Sequence, residues 1–156
     1  MAKQQQKKVE YVNRKAKHEY HFLELVEAGM QLTGTEIKSI RGGLVNMRDA
    51  YCAFEKGDEL YVRSLYIGEY KQGNVHNHEE RRKRKLLLKR QELNKWLKKT
   101  KEKGFTIVPY RLYLNERGIA KLEIVLVQGK KNYDKRDSIK QRDNKRQLDR
   151  AMKDFR

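Results

Sequence analysis

The middle of the chain alternates. In "DAYCAFEKGDELYVRSLYI", residues 49–67, apolar and polar side chains change places at nearly every step on either side of Lys56–Gly57–Asp58. Period two is the strand period, and a glycine between polar neighbours separating two such runs is a hairpin turn. Two further runs, "FTIVPYRLYLN" and "AKLEIVLVQ", meet at Glu116–Arg117–Gly118 and predict a second hairpin. Pro109 in the first of them marks an edge or a bulge, because proline has no N–H for a ladder. Upstream, Tyr20, Phe22 and the Leu25–Val26 pair predict a strand that ends at Gly29.

Helical spacing is rarer. In "GTEIKSIRGG" the sequence offers Thr35 as N-cap, apolar residues at Ile37, Ile40 and Leu44, and a Gly42–Gly43 stop. The run "RRKRKLLLKRQELNKWLKKTKEKG" sets Leu86, Leu93 and Leu97 on one face, so it reads as a single helix ending at Gly104. The expectation is a mainly β domain with flanking α-helices, five to seven antiparallel strands with two helices. A small oligonucleotide-binding-type barrel resolves the exposed edges better than an open sheet. The barrel is expected over residues 13–128. A flexible basic arm at 1–12 precedes it and a basic tail at 129–156 follows.

Charge narrows the function. The 156 residues carry a formal net charge of +17, and only 37% of them are hydrophobic. Self-repulsion at that level costs stability, so a polyanionic partner is expected. No apolar run approaches a membrane span, and no signal-peptide pattern opens the chain; a cytoplasmic protein without membrane contact is expected. From Arg81 to Lys103 there are twelve Lys or Arg against two Glu, and Arg81 to Lys85 is the densest part. Arg84 and Lys85 thus become candidate phosphate contacts on a cationic helix face.

Catalytic signatures are missing. There is no convergent nucleophile and base, so no enzyme activity is expected. "NVHNHEE" holds His76 and His78 but no cysteine pair, and reads as a solvated loop with no metal. Cys52 is the single cysteine, and its place in an alternating strand makes it a small buried hydrophobe. No cofactor is expected. The tail, Gly129 to Arg156, has eleven Lys or Arg and five Asp, with a narrow apolar stripe at Leu148, Ala151, Met152 and Phe155. Such a helix is marginal alone in water and reads as a segment that folds on an anionic surface.

Five blocks carry a resemblance: "NRKAKHEY" at Asn13–Tyr20, "EAG" at Glu27–Gly29, "GTEIKSIRGG" at Gly34–Gly43, "RKLLLKRQEL" at Arg84–Leu93 and "GKKNYDKRDSIKQRD" at Gly129–Asp143. In this order they resemble the SsrA-binding protein (small protein B) family, partners of bacterial transfer-messenger RNA. The resemblance implies an oligonucleotide-binding-type barrel that acts as an RNA-binding adaptor of trans-translation. It would grip the tRNA-like domain of transfer-messenger RNA and deliver it, with elongation factor Tu in the delivery complex, to stalled ribosomes for rescue and tagging. A monomer is expected. A basic structural ribosomal protein is the alternative reading.

The same resemblance implies roles by position. Glu27, Leu87 and Lys89 fall where the family contacts the RNA or supports that surface; Lys89 stands where many relatives carry a small polar residue. Asn13, Arg14, Lys15, Glu36 and Lys38 lie in the other RNA-binding blocks. Lys130 and Lys131 join barrel to tail. Asp134, Lys135 and Arg136 match a short charged motif of the tail, and Lys140, Arg142, Lys145, Arg146 and Met152 continue it. This tail is expected to be disordered when free and helical in the decoding centre and mRNA channel of the ribosome.

Overall fold

The computed structural model describes residues 8–73, 76–102, 104–129 and 132–154, with side chains in the last segment from residue 136. In chain order the described elements are β1 (Glu10–Val12), α1 (Arg14–Glu19), β2 (Tyr20–Met30), α2 (Gly34–Arg41), β3 (Val45–Asn46), β4 (Tyr51–Glu55) and β5 (Glu59–Arg63). There follow β6 (Tyr66–Ile67), β7 (Arg84–Leu87), α3 (Arg90–Thr100), β8 (Phe105–Leu114), β9 (Ala120–Gly129) and α4 (Asn132–Asp154).

The main sheet is antiparallel and returns on itself. Its pairings run β8–β4–β5–β7–β2–β9 and back to β8, with β1 added along β8 and a small β3–β6 ladder outside it. Closure leaves those six strands partnered on both sides, as expected of a barrel over an open sheet. Both predicted hairpins form at their predicted turns, with Gly57, Asp58 and Gly118 at positive φ. Pro109 does mark a bulge: the β8–β9 register shifts between Pro109 and Arg111.

Alternation then decides what is inside. Ala28, Cys52, Leu60, Val62, Leu86, Ile107, Leu112, Leu122, Ile124 and Leu126 point inward and are buried, and Leu93 and Trp96 of α3 and Ile40 of α2 pack against them. Cys52 is the inert hydrophobe expected of it, its burial pushing the thiol pKa far up. A second, smaller cluster lies on the outer face. There Ala16 of α1 covers Val108, Val125 and Val127, with Phe22 and Tyr110 meeting edge to face at 5.1 Å.

Several expectations need correction. Residues 10–12 of the supposed flexible arm form β1, pairing Glu10, Tyr11 and Val12 with Tyr113, Leu112 and Arg111; residues 1–7 of the arm lie outside the described residues. The N-cap of α2 is Thr33, not Thr35. Thr33 Oγ1 accepts the Glu36 N–H at 3.4 Å, and Glu36 Oε1 accepts the Thr33 N–H at 3.0 Å, a reciprocal cap. The long basic run is not one helix. Arg84–Leu87 is a strand between β5 and β2, and the helix begins only at Arg90, where Glu92 Oε2 accepts the Lys89 N–H at 3.4 Å. Consecutive cations with no acid four residues on give a helix little support, whereas two waiting strand edges pair "RKLL", β5 at Arg84 and Lys85 and β2 at Leu86 and Leu87.

Strand pairing turns Arg84 inward with Leu86. Its Nε donates to Glu36 Oε2, its Nη1 to the Leu65 carbonyl at 2.7 Å and its Nη2 to the Glu80 carbonyl at 3.2 Å. Both charged side chains are wholly buried. Arg82 reaches the other Glu36 oxygen from the partly exposed rim. Neither Glu36 nor Arg84 can touch RNA; together they tie α2 to β7. His78 is corrected too. It is buried, not in a solvated loop: its Nε2 donates to the Ile67 carbonyl at 2.8 Å, and in the neutral ring Nδ1 accepts from Thr35 Oγ1 at 2.9 Å.

Burial pushes the Glu36 pKa up, but hydrogen bonds from Arg82, the Thr33 N–H and Arg84 outweigh it and hold the carboxyl below its ordinary 4.5. The folded-state value is depressed, so the stabilisation is complete above about pH 4.5 and is lost as pH falls through the folded-state value. Substituting Glu36→Gln strands the Arg84 charge indoors and is expected to cost about 3–5 kcal/mol in urea unfolding at pH 7. The variant's stability should also fall less on acidification than the parent's over that range. Equal slopes on acidification would show that the carboxylate charge does not contribute.

Candidate nucleic-acid interface

The residues anticipated at an RNA surface fall in three places. The first is the outer face of β2 and β7. Glu27 is exposed there, and Leu87, paired with Gly29, is 47% exposed. Lys85 lies on the same face of β7 as Leu87 and approaches Glu59 at 3.7 Å; Lys89 follows, exposed, at the entry to α3. The second place is a cleft at α1, where exposed Arg14 and Lys15 stand with Arg48. Asn13, beside them, is not available to a ligand. It is buried, its Oδ1 capping the Ala16 N–H at 3.3 Å and its Nδ2 donating to the Pro109 carbonyl at 3.1 Å and the Met47 carbonyl at 3.3 Å. The third is α2, where Lys38 is exposed and its Nζ sits 5.2 Å from the centre of the Tyr70 ring.

Strand alternation assembles the first surface. Leu25 and Glu27 share one face of β2, and Lys85 and Leu87 share one face of β7. Lys83, exposed before β7, lies 5.1 Å from the Tyr61 ring and 2.7 Å from Glu55. The surface is thus a mixture of exposed leucines, the exposed Glu27 carboxylate and lysines, two of them paired with Glu55 and Glu59. Such a mixture suits a folded nucleic acid, with cations for phosphates and apolar side chains for sugars or base faces. Tyrosines that could stack on bases are mostly engaged elsewhere. Tyr11 donates to the Ile40 carbonyl at 2.6 Å, Tyr20 packs on the outer cluster and Tyr66 lies under Arg81, while Tyr51 is 43% exposed.

Sequence reasoning missed Arg111 and Tyr113. Both stand on the outer face of β8, where Arg111 reaches Glu123 of β9 and Tyr113 reaches Glu27 of β2. The signal was present in "PYRLYLN": alternation about inward Leu112 sends its two neighbours outward together. Their significance needed the cross-strand register, which the chain order does not contain.

The tail has a helical backbone over Asn132–Asp154. Arg136, Lys140, Arg142, Lys145 and Arg146 are all exposed, as are Leu148 and Met152, the latter at 70%. It touches the body at α1, where Arg142 Nη2 donates to His18 Nδ1 at 3.1 Å. Lys130, Lys131, Phe155 and the side chains of Asp134 and Lys135 lie outside the described residues. Among the described residues, no cluster of His, Cys, Asp and Glu is arranged to hold a metal ion, and no helix is long and apolar enough to cross a membrane.

Known proteins share this arrangement. The family model described as SmpB protein matches residues 10–154. The SsrA-binding protein of Flavobacterium psychrophilum is 52% identical over 149 residues, which cover 96% of this chain and 99% of that one. That of Moorella thermoacetica is 48% identical and covers 96% of each. A chain from the solved structure "tmRNA-SmpB: a journey to the center of the bacterial ribosome" superposes with a TM-score of 0.67 at 48% identity, over 80% of this chain and 86% of that one. A matched β body, a matched tail and near-half identity throughout leave one assignment: the chain belongs to the SmpB family of SsrA-binding proteins.

Proposed function

We propose that this protein is the RNA-binding adaptor of trans-translation. Its closed body grips the tRNA-like domain of transfer-messenger RNA, and its basic tail acts on the stalled ribosome. The observation that carries this reading is the pairing of a matched, closed β body with an exposed basic helix that the family model also spans. Glu27, Leu87, Lys85 and Lys89 are the RNA-facing group of the first surface. Arg14 and Lys15, in the α1 cleft, and Lys38, on α2, supply further cations. The protein acts as a monomer in the cytoplasm, and elongation factor Tu joins the delivery complex.

The tail works separately from the body. With its charges exposed and its leucine and methionine uncovered, a helix of this composition gains too little to persist by itself in water. We assign the helical form to the ribosome. There the decoding centre and an mRNA channel empty of message supply the anionic walls that Arg136, Lys140, Arg142, Lys145 and Arg146 neutralise, and Met152 finds apolar cover. Lys130 and Lys131 form the junction between barrel and tail, with Asp134 and Lys135 opening the tail.

Two measurements test the division. Deleting residues 129–156 is expected to leave affinity for the tRNA-like domain within about twofold in a filter-binding assay, while tagging of a stalled nascent chain is lost. Equal loss of both would place RNA binding in the tail. In the body, the double substitution K85E/K89E is expected to weaken binding and to flatten the plot of log affinity against log salt by about 1.5, the release expected for two phosphate contacts. An unchanged slope would remove those lysines from the phosphate interface.

A further inference from the structure

Glu27 and Glu123 stand directly opposite each other across β2 and β9, on the outer face of the sheet. Two carboxylates so placed repel, and each is settled by a different neighbour. Glu123 Oε1 accepts from Arg111 Nη2 at 2.7 Å, while Arg111 Nη1 donates to Glu10 at 3.1 Å. The guanidinium is therefore pinned from both sides, and it lies 4.3 Å from the centre of the Tyr113 ring. Tyr113, two residues along β8, extends its hydroxyl over β9 and donates to Glu27 Oε2. That bond to Glu27 first, and burial second, push the Tyr113 pKa up to about 12, so the hydroxyl keeps its proton and remains a donor.

Apart from this bond Glu27 faces solvent. On one side, Leu25 of the same strand face is 49% exposed; on the other, Leu87 is 47% exposed beside Gly29, where a Cβ would meet Leu87 Cβ at 3.4 Å. An oriented carboxylate thus sits between two uncovered leucines on a protein of net charge +17. A carboxylate repels phosphate and can only accept hydrogen bonds, so within an RNA it recognises a donor edge. With one oxygen partly committed to Tyr113, Oε1 and the remaining lone pair of Oε2 make an accepting fork. Guanine alone presents two adjacent donors, N1–H and N2–H, on its Watson–Crick edge. Adenine and cytosine set an acceptor nitrogen beside their amino group, and uracil flanks its N–H with carbonyls; both would repel the second oxygen. Unpaired bases offer that edge, together with an apolar face for the leucines.

We propose that Glu27 reads an unpaired guanine of the bound RNA, with Leu25 and Leu87 against the base, and that Tyr113, backed by Arg111, is the positioning residue that aims the carboxylate. The inference rests on the RNA-binding function proposed above and adds to it a base-specific contact.

The test uses the full chain and transcripts of the tRNA-like domain. Glu27→Gln is expected to weaken binding about tenfold or more, as loss of a bidentate base contact does, without changing the salt slope. Tyr113→Phe is expected to weaken it about threefold at unchanged melting temperature and to cost nothing further in the Glu27→Gln background, since residues acting through one another are not additive. In transcripts with single guanosines replaced by inosine, which lacks the 2-amino group, one unpaired position should weaken the parent but not Glu27→Gln. Tyr113→Phe binding like the parent, or adding its full loss in the double variant, overturns the positioning role. An inosine scan with no position silenced by Glu27→Gln overturns the guanine assignment, and it decides the matter even if Tyr113→Phe folds poorly. Failure of the parent to bind the domain at all would instead sink the proposed function.

Discussion

Closure of the sheet depends on how β8 shares its edges. One edge pairs with β9 along its length; the other serves β4 at Ile107 and β1 from Arg111 to Tyr113. Between those two partners sits Pro109, which has no N–H to give to either. Asn13 fills the gap. Its N–H goes to the Tyr110 carbonyl at 2.7 Å, and its side chain takes the Pro109 and Met47 carbonyls while capping α1. One buried amide therefore fixes where β1 ends, where α1 begins and how the strand bulges. The outer cluster under Ala16 and the outward row on β8 inherit their positions from that junction. A residue that looks like a surface contact in a basic motif is a structural keystone instead.

The charges divide in the same way. Most of the protein's cations are solvated, yet Arg84, in the densest basic stretch, is completely buried against Glu36. Burying such a pair is worthwhile only when the remaining donors are satisfied, and the Leu65 and Glu80 carbonyls do that. On the outside the reverse holds. Glu27 is an exposed acid in a positive field, stabilised by a tyrosine and not by a cation. Net charge accounts for attraction to a polyanion. It says nothing about which individual charge does the attracting, and in this fold one arginine and one glutamate of the expected RNA surface serve the interior.

Much of the fold could be read beforehand where the information is local. The hairpins at Gly57 and Gly118, the bulge at Pro109, the buried Cys52 and the stop at Gly42–Gly43 each follow from a turn residue or a short alternation. The misreadings share one cause. "RRKRKLLLKRQEL" fits helical spacing, but strand edges from β5 and β2 capture Arg84–Leu87 before the helix starts. The His78 loop looked solvated because nothing in its own sequence predicts Thr35 and the Ile67 carbonyl, forty-three and eleven residues away, as partners.

The sequence by itself determined the periods, the turns, the field of +17 and the family, because these depend on neighbours a few residues apart or on blocks in a fixed order. Tertiary structure decided which side of each strand faces out. A shift of one residue in register would reverse every side chain of β7 and β8, exchanging Arg84 for Lys85 and Leu112 for Tyr113. Only the paired strands, with their bulges at Phe22–Glu24 and Pro109–Arg111, bring Glu27 within reach of a tyrosine eighty-six residues away. Proximity across a closed sheet is a property of the ladder, and no local pattern carries it.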